Sequence, residues 1–136
     1  MSSKIAIIMP AYNAAKKIES VYDSIPSQII DLIDQFYIVN DGSKDETQEK
    51  VETIKSKYSK VTILVHPQNR GYGAAQKTGF SAALKSDAEV FIVLHSDGQT
   101  DPERIPSLSE PILEKKADMV LGSRMIDVTF FNTQMP

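Results

Sequence analysis

The stretch Ile5-Ala6-Ile7-Ile8-Met9-Pro10-Ala11-Tyr12-Asn13 decides the fold, because an unbroken apolar run is followed at once by a polar loop. Apolar residues without alternation are typical of a strand in a parallel sheet that helices cover on both faces. Further apolar runs at 36–39, 61–65 and 90–94 also end at or shortly before polar clusters. Because ligands bind outside the carboxyl ends of the strands in open α/β sheets, the clusters predict one shared site.

Helices are predicted between these strands, at about 14–24, 45–58, 73–85 and 102–116, and a fifth strand-like run follows at Asp118–Leu121. The alternating order predicts right-handed crossovers and a three-layer α/β/α architecture around a mostly parallel sheet. If the chain starts in the middle of the sheet, a crevice opens between the first and fourth strands. Residues 10–13 and 95–99 would face each other across it.

Local signals add detail to this outline. Ser43 and Glu46 have the spacing of a capping box at the start of the second helix. Thr100-Asp101-Pro102-Glu103 predicts a cap followed by proline in the first helical turn. Ala74, Ala75 and Gly79 keep one face of the third helix slim enough for close packing on the sheet. His66 ends a strand beside a proline, and we expect it to have a structural role.

The composition excludes several classes of protein. A chain of 136 residues forms one domain that needs no metal or disulfide to fold, and the absence of cysteine excludes thiolate chemistry. A net charge of −3, with lysine and arginine scattered, predicts no nucleic-acid partner. No apolar run approaches the roughly 18 residues of a membrane span, and we expect a cytoplasmic location.

Asp41-Gly42-Ser43 has two interpretations. Asp-Gly is a common turn pair, so the cluster predicts a simple turn. Alternatively, Gly42 lets the backbone turn sharply while Asp41, at the strand tip, stays free to accept hydrogen bonds from a ligand such as a nucleobase N–H.

Among the clusters, His95-x-Asp97-x-Gln99 has the side chains best suited to binding a metal ion. Residues two apart on an extended chain point to the same side, so His95 and Asp97 can reach one ion. Imidazole, carboxylate and amide oxygen suit Mn²⁺ or Mg²⁺, with phosphates and water completing the coordination. The alternative is a turn that ends a strand and caps a helix.

Two further motifs are less specific. Gly71 and Gly73 precede a helix as in dinucleotide-binding folds, but Gln76 stands where the third glycine of that motif belongs, which argues against an NAD site. Arg124 follows a Gly-Ser turn after the strand-like run at 118–121. It can grip a phosphate with two hydrogen bonds or form a surface salt bridge, and both interpretations remain open.

As a set, these motifs resemble the nucleotide-binding half of the family 2 glycosyltransferases with the GT-A fold, and within them the polyprenyl (dolichyl) phosphate sugar transferases. The matching pieces run in order along nearly the whole chain: 7–13, Val39-Asn40-Asp41-Gly42-Ser43-x-Asp45-x-Thr47, Asn69-x-Gly71-x-Gly73-Ala74-Ala75-x-x-x-Gly79, Asp97-Gly98-Gln99-x-Asp101-Pro102 and Gly122-Ser123-Arg124.

The resemblance implies a donor nucleotide sugar, UDP- or GDP-linked, and a divalent metal, Mn²⁺ or Mg²⁺. The base would sit near Pro10, Tyr12 and Asp41. The implied nucleotide-binding residues are Pro10, Ala11, Tyr12, Asn13, Asp41, Gly71, Gly73, Ser96 and Asp97. The implied metal ligands are His95, Asp97 and Gln99, and the implied catalytic residues are Asp97 and Arg124. Two departures are Ala14, where many relatives have glutamate, and His95, which replaces an aspartate.

The implied activity is transfer of a sugar, with inversion, to a polyprenyl phosphate or a cell-surface glycan precursor, at the cytoplasmic face of the membrane in a longer protein. The alternatives are a non-catalytic module that binds nucleotide sugar and, less favoured, an NAD-dependent oxidoreductase. Residues 1–124 are expected to form the nucleotide-sugar-binding domain. Residues 125–136 are expected to be a truncated tail that leads to an acceptor region.

Overall fold

The computed structural model describes residues 4–98 and 100–121, and these form a parallel sheet of four strands with helices on both faces. The elements in chain order are β1 (Ile5–Ala11), α1 (Ile18–Asp23), α2 (Ser27–Leu32), β2 (Ile33–Asp41), α3 (Thr47–Lys57), β3 (Val61–His66), α4 (Tyr72–Ala83), β4 (Val90–Val93), a 3₁₀ turn (Pro102–Arg104) and α5 (Ile105–Leu113). The strand order is β3-β2-β1-β4 and every neighbouring pair is parallel. This confirms the predicted order and places the switch point between β1 and β4.

The core lies on both sides of β1, whose seven residues are all buried. Ile5, Ile7 and Met9 belong to one apolar cluster, together with residues of α1 and α3. Ala6 and Ile8 belong to a second cluster, which includes Ala83 of α4. Successive residues of a strand point to opposite faces, so an unbroken apolar strand supplies both clusters. The predicted three-layer architecture is confirmed.

Helix α4 packs closely on the sheet at Gly79. Ala75, Gly79 and Ala83 are its buried residues, as the small side chains predict. A Cβ atom built on Gly79 would lie 2.4 Å from Cγ2 of Ile8, so only glycine allows this separation. The close packing fixes the position of the first turn of α4 relative to β1.

Three local predictions are wrong or need correction. Residues 118–121 are not a strand. Met119 and Leu121 are 75% and 81% exposed, and β4 is hydrogen-bonded only to β1 among the strands of the described chain. The capping box does not form either, because Ser43 bonds to the β1 loop and Asp45 accepts the Thr47 N–H instead. The helix predicted at about 14–24 is shorter in the structure, where α1 begins only at Ile18, and the separate helix α2 was not predicted.

The other predicted cap is confirmed, since Asp101 accepts a hydrogen bond from the Glu103 N–H at 2.9 Å and Pro102 opens the 3₁₀ turn. Among the described residues, no helix combines the length and the hydrophobicity that crossing a lipid bilayer requires.

Candidate functional site

The loop after β1 is tied to the loop after β2. Asn13 has a positive φ of 50°, and its backbone N–H donates to Oγ of Ser43 at 2.9 Å. Its side-chain oxygen accepts the Lys44 N–H, also at 2.9 Å. Tyr12 remains 46% exposed above this junction, while Pro10 and Ala11 are still part of the strand. Asn13 therefore joins two loops, and Tyr12 is the accessible side chain between them.

A second set of contacts joins the residues that follow the β1 loop to the start of α3. The Ala14 N–H donates to Oγ1 of the buried Thr47 at 2.8 Å, and the Ala15 N–H donates to Oδ2 of Asp45 at 3.2 Å. Burial alone would raise the pKa of Asp45, but hydrogen bonds from Thr47 and Ala15 outweigh it and lower the pKa overall. The carboxylate thus serves as a charged acceptor between the two loops.

Asp41 differs from the sequence expectation, because its carboxylate is not free for a ligand. It is 2% exposed and accepts four hydrogen bonds from the protein. Oδ1 accepts from Nδ1 of His66 and from the Arg70 N–H, both at 2.8 Å. Oδ2 accepts from the Gly71 N–H at 3.0 Å and from the Asn69 amide at 3.2 Å. Asp41 holds the loop after β3 in place, so its effect on a ligand would be indirect.

The electrostatics of Asp41 follow from this environment. Burial alone would raise its pKa, but the hydrogen bonds from His66, Arg70 and Gly71, together with the charge of His66, lower the pKa overall. His66 is itself buried, and its Nε2 lies 2.8 Å from Oγ1 of Thr78 in α4. The structural role predicted for His66 is confirmed, since it connects β2 to α4.

Gly42 makes the approach of the two loops possible. Its φ is +68°, and a Cβ atom there would lie 2.3 Å from the backbone nitrogen of Asn69. Only glycine satisfies both the backbone conformation and the contact. The turn after β2 can therefore press against the loop after β3.

The loop after β4 closes the arrangement. The backbone N–H of Leu94 donates to the carbonyl oxygen of Ile8, and Oγ of the buried Ser96 donates to the carbonyl oxygen of Pro10, both at 2.9 Å. Nε2 of His95 lies 3.1 Å from the hydroxyl of Tyr72, and the two rings stack with centroids 5.3 Å apart. The β4 loop thus contacts both the end of β1 and the first residue of α4.

The four loops form a ring at the carboxyl ends of the strands. The β1 loop bonds to the β2 loop, the end of β2 to the β3 loop, the first residue of α4 to the β4 loop, and the β4 loop back to β1. Residues 10–13, 41 and 95–98 therefore come together, as the sequence predicts. Gln99 and Arg124 lie outside the described residues.

A mainly apolar cavity of about 550 Å³ adjoins the ring beside β4. His95, Tyr72 and Asp101 are among its polar lining residues, and Phe80 and Leu108 are among its apolar ones. The site therefore offers a polar ring next to an apolar surface.

The donor set at 95–97 fits a divalent cation only in part. His95 and Asp97 supply an imidazole and a carboxylate, and the described chain contains no cluster of three His, Cys, Asp or Glu residues able to hold a metal. A cation at this position would need oxygen atoms from a bound ligand or from other residues. Mn²⁺ and Mg²⁺ accept that arrangement, because both bind commonly through few protein groups plus phosphate.

Two contributions to the ring were not predicted. Tyr72 lies within the Asn69–Gly73 cluster, where only the glycine spacing was considered, and it is the residue that reaches His95. Thr47 was part of a matching motif, but its hydroxyl contact with the Ala14 N–H spans 33 positions and no local pattern signals it.

The parallel four-stranded sheet with its helices is the GT-A fold. The sequence pattern of Glycosyl transferase family 2 matches residues 6–134, and the chain belongs to that family.

Two curated relatives show which members of the family this chain resembles. The chain is 32% identical over 133 residues to a "UDP-N-acetylglucosamine--dolichyl-phosphate N-acetylglucosaminyltransferase" of Methanococcus voltae, covering 89% of this chain and 52% of the relative. It is also 32% identical over 123 residues to a dolichol-phosphate mannosyltransferase of Pyrococcus furiosus, covering 90% and 34%. The chain thus spans about half or less of the length of these relatives.

Solved structures agree on the fold. A glucosyl-3-phosphoglycerate synthase of Mycobacterium tuberculosis, crystallised with Mn²⁺, UDP and glucosyl-3-phosphoglycerate, is 26% identical with a TM-score of 0.59, covering 82% of this chain and 40% of that one. S. aureus TarS in complex with UDP is 21% identical with a TM-score of 0.62, covering 82% and 32%.

Proposed function

We propose that this chain is the donor-binding part of a glycosyltransferase that moves a sugar, with inversion, from a nucleoside diphosphate to a polyprenyl phosphate. The observation that carries the proposal is the closed ring of contacts that includes Asn13, Ser96 and His95 at the switch point of the sheet. Family membership and the names of the two dolichyl-phosphate relatives support the class of donor and acceptor.

The donor would lie along the ring. The exposed ring of Tyr12 would stack on a nucleobase, and Asn13 holds the loop that carries it. Gly71 and Gly73 leave the backbone open on the opposite side, since a Cβ atom on either would meet nothing within 4 Å. The diphosphate would then lie near His95 and Asp97.

A divalent cation, Mn²⁺ or Mg²⁺, would be held by His95 and Asp97, with Gln99 as a third ligand. When bound, it would neutralise the negative charge that develops on the departing diphosphate. Asp97 would orient the donor through this site, and Arg124 would donate to the same phosphate oxygens.

The proposed reaction is a displacement at the anomeric carbon of the donor sugar. The bond from this carbon to the diphosphate oxygen breaks, and its electron pair leaves with the nucleoside diphosphate. An oxygen of the acceptor phosphate forms the new bond from the opposite face. A phosphate monoester has a second pKa near about 6, so it is largely ionised at neutral pH and needs no general base. The apolar cavity beside His95 would take the lipid part of the acceptor.

A panel of thermal unfolding measurements tests the proposed donor site. The 136-residue chain is heated with UDP, GDP or NAD, each with and without Mn²⁺. We expect UDP or GDP with Mn²⁺ to raise the unfolding temperature, since a ligand that binds only the folded state stabilises it. NAD should have no effect. Stabilisation by NAD alone would overturn the proposal in favour of an oxidoreductase.

A non-catalytic module that holds nucleotide sugar without turnover is the second candidate. It is favoured by the site itself, because His95 and Ala14 replace residues that resemblance to the family leads one to expect. Release of sugar from a donor nucleotide by a longer form of the protein, and its loss in Asp97→Asn, would exclude this candidate. A longer protein that binds donor without releasing sugar would support it.

A further inference from the structure

The stacked pair of Tyr72 and His95 joins two loops that the sheet brings together. Tyr72 is the first residue of α4, and His95 follows β4. Their rings lie almost parallel, with 17° between the planes, and the phenol oxygen lies 3.1 Å from Nε2. Tyr72 is 48% exposed, so burial alone does not account for its position.

The chemistry of imidazole limits what this contact allows. A neutral ring has one nitrogen that carries a proton and one with a free lone pair. A cation needs the lone pair. Nε2 of His95 is engaged by Tyr72, and Nδ1 has no partner within residues 4–98 and 100–121. Nδ1 is therefore the nitrogen open to a cation, provided that the proton lies on Nε2.

We propose that Tyr72 is a positioning residue for metal binding: its phenol oxygen accepts the Nε2–H of His95 and leaves the Nδ1 lone pair for the cation. The inference rests on the proposed function, because it assigns a role within the same metal site. It adds a residue that does not touch the cation and names the ligating nitrogen.

Two physical effects support this role. An acceptor on the second nitrogen of a ligating histidine fixes the protonation pattern and raises the basicity of the ring, and its loss commonly costs about 10- to 100-fold in metal affinity. The stacked ring of Tyr72 also restricts rotation of the imidazole, which lowers the entropy that binding must remove. Tyr72→Phe keeps the stacking and removes only the oxygen.

The first test is metal affinity, which needs no turnover. Free Mn²⁺ is measured by electron paramagnetic resonance during titration of the protein, with UDP in one series and GDP in a second. We expect the dissociation constant for Mn²⁺ to rise about 10-fold or more in Tyr72→Phe. Tyr58→Phe is the matched control, because Tyr58 also loses a hydroxyl, one that lies 3.3 Å from the carbonyl oxygens of Ile30 and Ile33. Its Mn²⁺ affinity should equal that of the wild type.

The second test reads the ring nitrogens directly. Protein labelled with ¹⁵N-histidine gives signals from His66 and His95, which the His95→Gln variant assigns. We expect Tyr72→Phe to move the Nε2 signal of His95 in the absence of metal and to leave the His66 signals in place. Addition of Mg²⁺ with the nucleotide should perturb Nδ1 while Nε2 keeps its proton. A cation-induced change at Nε2 as the ligating nitrogen would overturn the inference.

The outcomes separate this inference from the proposed function. Wild-type protein that binds Mn²⁺ with nucleotide, and Tyr72→Phe that binds it equally well, would overturn the role of Tyr72 and leave the donor site intact. Wild-type protein that binds no Mn²⁺ in either series would overturn both.

Discussion

At the scale of single residues, the network around Asp41 explains how the crevice keeps its shape. A buried carboxylate accepts one hydrogen bond from a histidine of β3 and three from the loop that follows β3. Hydrogen bonds to a charged acceptor are stronger than neutral ones, and an unpaired buried donor is costly. This loop leads directly into α4, whose first residue is Tyr72, so Asp41 fixes the segment from which Tyr72 reaches the site.

Replacement of Asp41 by asparagine tests this role. The amide Nδ2 would face two donors in place of an acceptor, and the negative charge beside His66 would be lost. We expect the free energy of unfolding to fall by about 3 kcal/mol, because buried donors lose their charged acceptor. Urea unfolding measures the change. Asp87→Asn is the control, since Asp87 is 86% exposed in its ion pair with Lys4 and should change stability by less than about 0.5 kcal/mol.

The lowered pKa of Asp41 also predicts a dependence on pH. A carboxylate whose pKa is lower in the folded protein stabilises it above the unfolded value of about 3.9, and this contribution is lost as the pH falls through the folded value. We therefore expect wild-type stability to decrease more than that of Asp41→Asn between about pH 6 and pH 3. Parallel urea titrations at both pH values measure this. Equal losses in the two proteins would contradict the assignment.

At the scale of the elements, the packing of α4 on the core sets the position of its first residue at the site. Its buried small residues hold it against β1, and its first residue reaches His95. A shift of this helix would therefore move the β3 loop relative to the β4 loop.

Gly79→Ala tests the close packing of α4 on β1. The added Cβ would overlap Cγ2 of the fully buried Ile8, and such overpacking costs about 1–3 kcal/mol, more than the gain of up to about 1 kcal/mol in helix propensity. Gly73→Ala in the same helix meets no atom within 4 Å and should not destabilise the protein. Thermal unfolding of both variants provides the comparison, and equal effects would contradict the packing argument.

The elements also mark the limit of prediction from the sequence. Apolar runs predicted the four observed strands, because burial on both faces of a parallel strand leaves a continuous pattern. Their order in the sheet followed only from the premise that the chain starts in the middle of the sheet. Asp41 was misjudged because its partners at 66 and 69–71 are distant in sequence, and no local pattern reveals that its acceptors are used. The prediction of a fifth strand at 118–121 was wrong, because a short apolar run does not show whether a partner strand lies beside it.

At the scale of the whole molecule, one physical claim underlies the proposed function. The claim is that the ring of loops after the four strands would bind a nucleoside diphosphate together with a divalent cation held at His95 and Asp97. The contacts that bring residues 10–13, 41 and 95–98 together agree with this claim. The family match supports a nucleotide sugar as the ligand.

Isothermal titration calorimetry of the chain with UDP and with GDP, each with and without Mn²⁺, tests this claim most directly. We predict that one of the two nucleotides binds with Mn²⁺, and that Asp97→Ala weakens this binding at least about 10-fold while the exposed Asp87→Ala leaves it unchanged. Binding that is unaffected by both Mn²⁺ and Asp97→Ala, or no binding of either nucleotide, would contradict the account.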